Sequence, residues 1–230
     1  MKNKSIFRIF TKGEIALWSL SILIIVIVFA IFDKENYLYL SSSLLGATSL
    51  IFYAKGNVFG PILMIVFSVM YAVISFSYEY YGEMITYLAM TAPMSLMSVI
   101  SWILNPYGKS RTQVKINRIG RIETVFAVVL TAVVTFVFYF ILKAFETANL
   151  IVSTISVSTS FLAAYFTFRR SALYALFYAM NDIVLIVLWL LASVSDISYM
   201  SVTVCFVIFF VNDIYGFINW RKMSLRQRKI

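Results

Sequence analysis

Two asparagine–aspartate pairs lie inside long apolar stretches and are the residues best able to do chemistry. They are Asn181-Asp182 and Asn212-Asp213. Polar side chains are costly in lipid, so those that occur there usually bind, conduct or make a specific contact. Asn181 follows the basic end of its stretch by about ten residues, which in a helix corresponds to a depth of ~15 Å. We therefore expect Asn181 at mid-membrane and Asn212 somewhat nearer the basic side.

Each pair belongs to a helical face that combines carboxamides with aromatic rings. The spacing of i, i+3, i+4 and i+7 puts the members of each set on one side of a helix. The faces are Tyr174, Phe177, Tyr178 and Asn181 in the first stretch, and Asn212, Tyr215 and Asn219 in the second. Rings can stack on a flat heteroaromatic ligand while amides bond its polar edges. Hydrogen bonding between neighbouring spans explains any single asparagine equally well, but two such faces favour a ligand site.

Asp182 and Asp213 are candidate coupling groups for sodium or protons. The alternative is that each carboxyl accepts hydrogen bonds from neighbouring tyrosine, serine or amide groups and fixes the packing. No basic residue lies at comparable depth, and nothing else in the sequence indicates a relay. We therefore favour the structural role for both.

A further apolar stretch contributes Tyr87, followed by Thr91, Ser95 and Ser98, with Pro93 among them. Proline removes a backbone donor and predicts a kink, which suits a cavity wall or a purely structural bend. Ser68 occupies roughly the place that Asn181 has in the later stretch. We include Tyr87 and Ser68 among the candidate substrate-binding residues.

Residues needed for most enzymatic and metal chemistry are missing. The chain has no histidine, and Cys205 is its one cysteine. Neither an internal disulfide nor a cysteine- or histidine-based metal site can form, and no cofactor is predicted. The sequence also lacks a glycine-rich phosphate loop and the motifs of serine hydrolases and zinc proteases. An intramembrane enzyme would need a nucleophile–base or carboxylate cluster, so we predict that the protein is not an enzyme.

The elements that must position these residues are membrane-spanning helices. Hydrophobic residues make up 62% of the 230, whereas charged residues make up 13%, about half of what a soluble domain carries. Each of eight apolar stretches is long enough to cross a bilayer: 15–32, 37–54, 57–78, 84–104, 124–142, 148–168, 172–193 and 197–220. We predict an all-α polytopic membrane protein. The first stretch lacks a cleavage site and is interpreted as a retained helix.

Basic residues define the orientation. With eight spans, Lys34 and Lys143 fall on one side and the other 17 of the 19 lysines and arginines on the opposite side. Cytoplasmic loops carry this excess, so both termini are predicted to be cytoplasmic in a multi-pass plasma-membrane protein. The same rule explains the net charge of +9 without a nucleic-acid partner.

Two three-helix units indicate an internal repeat. Each unit has a basic turn after its first helix, an acidic turn after its second and a tryptophan, Trp102 or Trp220, at its end. One intervening helix gives both units the same orientation, which implies a pseudo-twofold axis along the membrane normal and a site at mid-depth. The predicted organisation is 1–36 (tail and extra helix), 37–104 (first unit), 105–147 (basic loop and linker helix), 148–222 (second unit) and 223–230 (basic tail).

The stretch from Asn212 to Trp220, followed by Arg221-Lys222, resembles the closing motif of the PnuC family of nicotinamide riboside transporters. The Asn-x-x-Tyr core matches at Asn212 and Tyr215, and the 3+1+3 helix plan is similar over residues 37–222. The resemblance implies facilitated diffusion of nicotinamide riboside, trapping of the product by intracellular phosphorylation, a SWEET-like arrangement and a homotrimer. Tyr174 and Phe177 replace the family's usual Trp-x-x-Trp, and the usual amide of the fourth stretch is absent near Ser95.

The function that these patterns favour is a carrier of nicotinamide riboside or a similar vitamin precursor, working by alternating access between the two units. One alternative is ion-coupled symport of thiamine or riboflavin through Asp182 or Asp213. Another is a membrane sensor or assembly subunit that binds a ligand without moving it. Lipid and the small-molecule substrate are the expected partners.

Overall fold

The computed structural model describes residues 9–108 and 112–228 and contains eight helices long and apolar enough to cross a membrane. We label them α1 (Lys12–Phe32), α2 (Tyr37–Ala54), α3 (Phe59–Ser77), α4 (Tyr81–Leu104), α5 (Arg121–Ala144), α6 (Leu150–Phe168), α7 (Leu173–Ser193) and α8 (Met200–Arg228). A short 3-10 turn, Ile197–Tyr199, precedes α8. The predicted all-α fold with eight spans is confirmed.

Two details of the elements differ from the prediction. A pair of two-residue strands, β1 (Pro106–Tyr107) and β2 (Gln113–Val114), forms an antiparallel ladder in the basic loop. Such short strands carry no periodic signal in the sequence. The last helix also continues to Arg228 instead of ending near 220, because neither glycine nor proline occurs between Trp220 and Arg228.

Six helices form a closed ring. The helices α2, α3 and α4 pack in succession, as do α6, α7 and α8. The two trios meet where α2 packs on α8 and where α4 packs on α6. Each contact between the trios therefore joins the first helix of one to the third helix of the other, as a twofold relation requires.

Matching tryptophan bonds join the trios at the basic end of the ring. The indole N–H of Trp102, at the end of α4, donates to the backbone carbonyl of Thr167 on α6 at 2.9 Å. The indole N–H of Trp220 on α8 donates to the carbonyl of Tyr53 on α2 at 2.7 Å. Both indoles are buried. Equivalent bonds from equivalent positions support the predicted repeat.

The turns after α2 and α6 are built alike. Gly56 and Arg170 occupy the left-handed region, with φ of 64° and 57°, and each closes the end of its helix. The next residues, Asn57 and Ser171, use their side chains to accept a backbone N–H two positions on, at 3.0 and 3.3 Å. Glycine suits the first position, whereas Arg170 adopts the same conformation at some conformational cost.

The basic segments meet at one end of the bundle. The Gln113 amide donates to the Lys55 carbonyl at 3.2 Å, and the Asn117 N–H donates to the Arg170 carbonyl at 3.0 Å. Gln227, near the end of α8, makes two further bonds to the same loop, at 2.9 and 3.1 Å. Six basic residues used to predict orientation lie outside the described residues: Lys2, Lys4, Arg8, Lys109, Arg111 and Lys229.

The fourth helix contains a π-helical turn at Tyr87–Thr91, and α-helical geometry resumes at Ala92. Within this turn the Ala92 N–H bonds the carbonyl of Tyr87, five residues back. Pro93 follows immediately and has no N–H to offer the preceding turn. The sequence predicted a kink at Pro93, and the structure has a π-helical turn just before this residue. Such turns are frequent at functional sites.

Helices α1 and α5 lie outside the ring. They are the least buried of the eight, with 17% of the apolar window of each inside the protein compared with 50–56% for α2, α3, α6, α7 and the last span. The first packs on α2 and α8, and the second on α6. Their apolar outer faces suit contact with lipid tails.

Candidate functional site

A small cavity lies at the centre of the ring. All six ring helices contribute to its wall: Leu50, Met64, Phe67, Tyr87, Thr91, Ser160, Tyr178, Asn181, Asp182, Phe206, Phe209 and Asp213. Its volume is about 20 Å³, enough for about one water molecule. Pockets for drug-sized ligands are typically several hundred Å³. The cavity in this structure is therefore too small for a vitamin-sized molecule.

An aromatic layer closes the cavity toward the acidic turns. Tyr71 packs against Tyr87, Phe206 and Trp189, with ring centroids 4.5, 5.7 and 6.3 Å apart. The Trp189 indole donates to the Tyr71 hydroxyl at 2.8 Å. This bond ties α3 to α7, so the layer spans both trios.

A second aromatic layer closes the cavity toward the basic end. Tyr174 contacts Tyr53 and Trp220 at centroid distances of 5.7 and 4.8 Å, and Trp102 contacts the same two residues at 5.5 Å each. These four rings come from four helices. Opening one layer while the other stays shut would expose the cavity to one side at a time.

Asn181 faces the cavity at mid-helix and is 2% exposed. Its amide oxygen accepts bonds from the hydroxyls of Thr159 at 2.8 Å and Ser156 at 3.3 Å, both on α6. These bonds fix the orientation of the carboxamide. Its amide nitrogen makes no bond to the described residues and keeps its donor capacity.

Asp182 and Asp213 lie side by side at the cavity, one on α7 and one on α8. They are 4% and 3% exposed. The Oδ2 atom of Asp182 has no donor among the described residues. Lysine and arginine are absent from the described cavity wall, so the two carboxyls have no basic partner there.

The first predicted face divides between the cavity and its surroundings. Tyr178 and Asn181 line the cavity. Tyr174 lies in the aromatic layer on the basic side, and the ring of Phe177 stacks on Phe166 of α6 at 5.3 Å. Phe177 therefore packs two helices together, because the α6 interface covers the side of α7 on which it sits.

The other trio contributes Tyr87 but not Ser68 to the cavity. Tyr87, in the π-helical turn, is part of the wall. The Ser68 hydroxyl instead donates to the backbone carbonyl of Met64 at 2.7 Å, within its own helix. The neighbouring residue Phe67 lines the cavity instead. The expectation that Ser68 lies at the site is therefore corrected to Phe67.

The second predicted face points away from the cavity, which corrects the expectation that both faces share it. Asn212 donates to the Ser21 hydroxyl on α1 at 3.0 Å and to the Ile208 carbonyl at 2.9 Å. The Tyr215 hydroxyl donates to Glu14 on α1 at 2.7 Å. Asn219 donates to the Ala54 carbonyl at 2.7 Å. These side chains hold α1 and α2 to α8.

Glu14 is the centre of the contact between α1 and the ring. It is 1% exposed and accepts from Tyr215 and from the Lys55 ammonium, the latter at 2.9 Å. A capping box with Thr11 fixes the start of the same helix. Glu14 was not predicted from the sequence, because a lone carboxylate near the first basic cluster resembles a solvated terminal residue.

A larger groove of about 190 Å³ lies between α1 and α2 and is lined mainly by apolar side chains. It borders Trp18 and Phe52 and stands outside the ring. Polar groups that could orient a nucleoside are few there. The enclosed cavity, small as it is, is the better candidate for the site.

Comparison with known proteins decides the family. The family model described as "Nicotinamide mononucleotide transporter" matches residues 36–222, most of the chain. The chain belongs to this family. The PnuC resemblance seen in the closing motif is thereby confirmed, and the protein is a membrane transporter.

A curated relative and a solved structure agree with this family. The chain is 24% identical to the nicotinamide riboside transporter PnuC of Neisseria mucosa over 97% of its own length and 86% of the relative. It also matches the crystal structure of the vitamin B3 transporter PnuC with a TM-score of 0.82, covering 95% of this chain and 94% of that one at 21% identity. At this identity the structural match establishes the fold.

The family match begins after α1 and includes α5 and the six-helix ring, as far as residue 222 of α8. In this family member, the Asn-x-x-Tyr motif that carried the resemblance is used at the interface with α1. Its position in the sequence thus identified the family correctly, while the contacts of Asn212 and Tyr215 are made to a helix outside the matched region.

Several wall residues of this transporter were not foreseen. Phe67, Phe206 and Phe209 are ordinary apolar residues in apolar helices, so nothing in the sequence separates them from core residues. Ser160 did have a signal. It extends a run of hydroxyl residues at helical spacing on α6 with Ser153 and Ser156, and such a run is what an interior polar face requires.

Proposed function

We propose that this chain carries nicotinamide riboside across the membrane by facilitated diffusion. The family match over residues 36–222 is the observation that supports it most directly. The name of the Neisseria mucosa relative supplies the substrate. A central cavity with aromatic, amide and carboxyl groups suits a heteroaromatic riboside, which offers a flat ring, a carboxamide and sugar hydroxyls.

The proposed mechanism is alternating access by rocking of the two trios. The Tyr71–Trp189 layer would open toward the acidic turns and the Tyr53–Tyr174 layer toward the basic end, never together. Between these states Tyr178 and Tyr87 would stack on the ring, and the amide nitrogen of Asn181 would bond the substrate. Because the layers are built from helices of both trios, a rocking motion parts their rings without unfolding any helix.

Transport without ion coupling is the proposed energetic mode. The sequence carries no phosphate-binding loop, which argues against transport driven by ATP hydrolysis. Net entry down a concentration gradient requires only that the imported riboside be consumed inside the cell. Two alternatives are tested against this proposal. One is ion-coupled symport of thiamine or riboflavin, and the other is a sensor that binds a ligand without transporting it.

Topology and assembly are also proposed. We place the protein in the plasma membrane with both termini cytoplasmic, since the basic loop, Lys55, Arg170 and the end of α8 gather at one face of the bundle. The resemblance to the family further suggests a homotrimer. Native mass spectrometry of the purified protein checks the trimer, and labelling of a terminal tag in intact cells checks the topology.

Uptake into proteoliposomes tests the function. With the membrane potential held at zero, labelled nicotinamide riboside should enter until its inner and outer concentrations are equal, at the same rate with and without sodium or proton gradients. Tyr178→Ala should slow entry severely, whereas Tyr139→Ala, on α5 outside the ring, should not. Accumulation that strictly requires an ion gradient would contradict facilitated diffusion, and saturable binding without entry would make the protein a sensor.

A further inference from the structure

The charge inside the cavity is entirely acidic. Asp182 and Asp213 are its ionisable carboxyls, and the described wall holds no lysine or arginine. A negative charge here is costly in the low dielectric of the membrane unless a positive charge comes close to it. The ring does not supply that charge from its own side chains.

Helix packing accounts for only part of Asp182, whose carboxyl meets that of Asp213 across the α7–α8 contact. Carboxyls that serve a structural role are normally saturated with hydrogen bonds. The Oδ2 atom of Asp182 is buried, has no donor among the described residues and belongs to a residue of the cavity wall. Asn181, next to it, is by contrast held by two hydroxyls of α6. This carboxyl oxygen is therefore available to a group that arrives from the cavity.

The surroundings of the two carboxyls favour an aromatic cation. Tyr178, Tyr87 and Phe209 line the same small space as the two carboxyls. A positively charged heteroaromatic ring would be attracted both to the carboxyls and to the electron-rich faces of these rings. A neutral ring of the same shape would gain the stacking but would leave the acidic pair without a counter-charge.

We propose that Asp182 and Asp213 recognise the positive charge of the transported ring, so that the carrier selects cationic heteroaromatic substrates over neutral ones. This inference rests on the proposed function. It specifies the chemistry by which the site discriminates: the pyridinium of nicotinamide riboside and the thiazolium of thiamine meet the requirement, and the neutral ring system of riboflavin does not.

The test compares two ribosides that differ in charge. Nicotinamide riboside carries a pyridinium, and its 1,4-dihydro form is the same molecule after addition of a hydride, with a neutral ring. Uptake of each is measured in proteoliposomes for the wild type, Asp182→Asn, Asp213→Asn and the double variant. The wild type should prefer the cation by about tenfold or more in kcat/KM, and the double variant should lose most of this preference.

The neutral riboside also reports whether each variant is folded, because removal of the acidic pair should not slow its uptake. Asp196→Asn is the matched control: this acid lies at the turn before α8, where its side chain accepts from the Ser198 N–H, and it should leave the preference unchanged. Equal loss of both ribosides in the variants would assign the acids to packing and overturn the inference.

A measurement on the wild type needs no variant. The 1-methylnicotinamide cation should raise the Tm of the purified protein at concentrations where neutral nicotinamide does not. Equal kcat/KM for both ribosides, or equal stabilisation by both nicotinamides, would overturn the charge selectivity while leaving nicotinamide riboside transport intact. Entry of neither riboside would instead contradict the proposed function.

Discussion

The asparagines Asn181 and Asn212 occupy different surroundings in the same bundle. Both are buried, and both lie one position before an aspartate that lines the cavity. The amide of Asn181 is held by α6 and faces the cavity, whereas that of Asn212 faces α1. Sequence periodicity placed each on a polar helical face, but it could not say which neighbouring helix would cover that face.

Substitution of these two residues should separate their roles. Asn181→Ala removes a donor to the substrate, so we expect KM for nicotinamide riboside to rise about tenfold. Asn212→Ala removes bonds to Ser21 and Ile208, so we expect the Tm to fall while KM changes by less than about twofold. Uptake kinetics and thermal unfolding in detergent measure both quantities. A large rise in KM for Asn212→Ala, with little change for Asn181→Ala, would instead place Asn212 in the binding site.

At the scale of elements, the eight spans were predictable because length and hydropathy are enforced by the thickness of the bilayer. The distribution of lysine and arginine then fixed their alternation. The order in which the helices pack could not be predicted from the sequence. The position of α1, on α2 and α8, depends on the burial of Glu14, and that contact joins residues far apart in the chain.

The Glu14–Lys55 ion pair should contribute strongly to the free energy that holds α1 against the ring. Glu14 is 1% and Lys55 17% exposed at the side chain, and their atoms are 2.9 Å apart. A double-mutant cycle with Glu14→Gln and Lys55→Met should give a coupling free energy of about 1.5–3 kcal/mol in detergent unfolding. The Glu123–Arg169 pair, more exposed at 22% and 37%, serves as control and should give less than about 1 kcal/mol. Equal couplings would contradict a special role for Glu14.

The whole molecule is organised by two trios that exchange equivalent contacts. The sequence revealed the trios through the spacing of turns and tryptophans, though side-chain identities match weakly between them. The structure adds the reason for the tryptophans: each donates its indole N–H to the first helix of the opposite trio. These two bonds join the trios at the basic end of the ring.

Equivalent contacts should have equivalent energies. Trp102→Phe and Trp220→Phe each remove one buried bond across the trio interface, so each should lower the free energy of unfolding by about 1–2 kcal/mol, with values that agree within about 0.5 kcal/mol. Trp18→Phe, whose 3.2 Å bond to Thr48 lies outside the ring and is only partly buried, should cost less. A threefold difference between the two ring variants would argue against the twofold relation.

The location of bound nicotinamide riboside tests the central claim most directly. A structure of the complex should show the substrate inside the ring, with its pyridine ring between Tyr178 and Tyr87 and its charge beside Asp182 and Asp213, in a cavity enlarged to several hundred Å³. Substrate bound between α1 and α8, at Asn212 and Tyr215, would contradict this account of how the protein works.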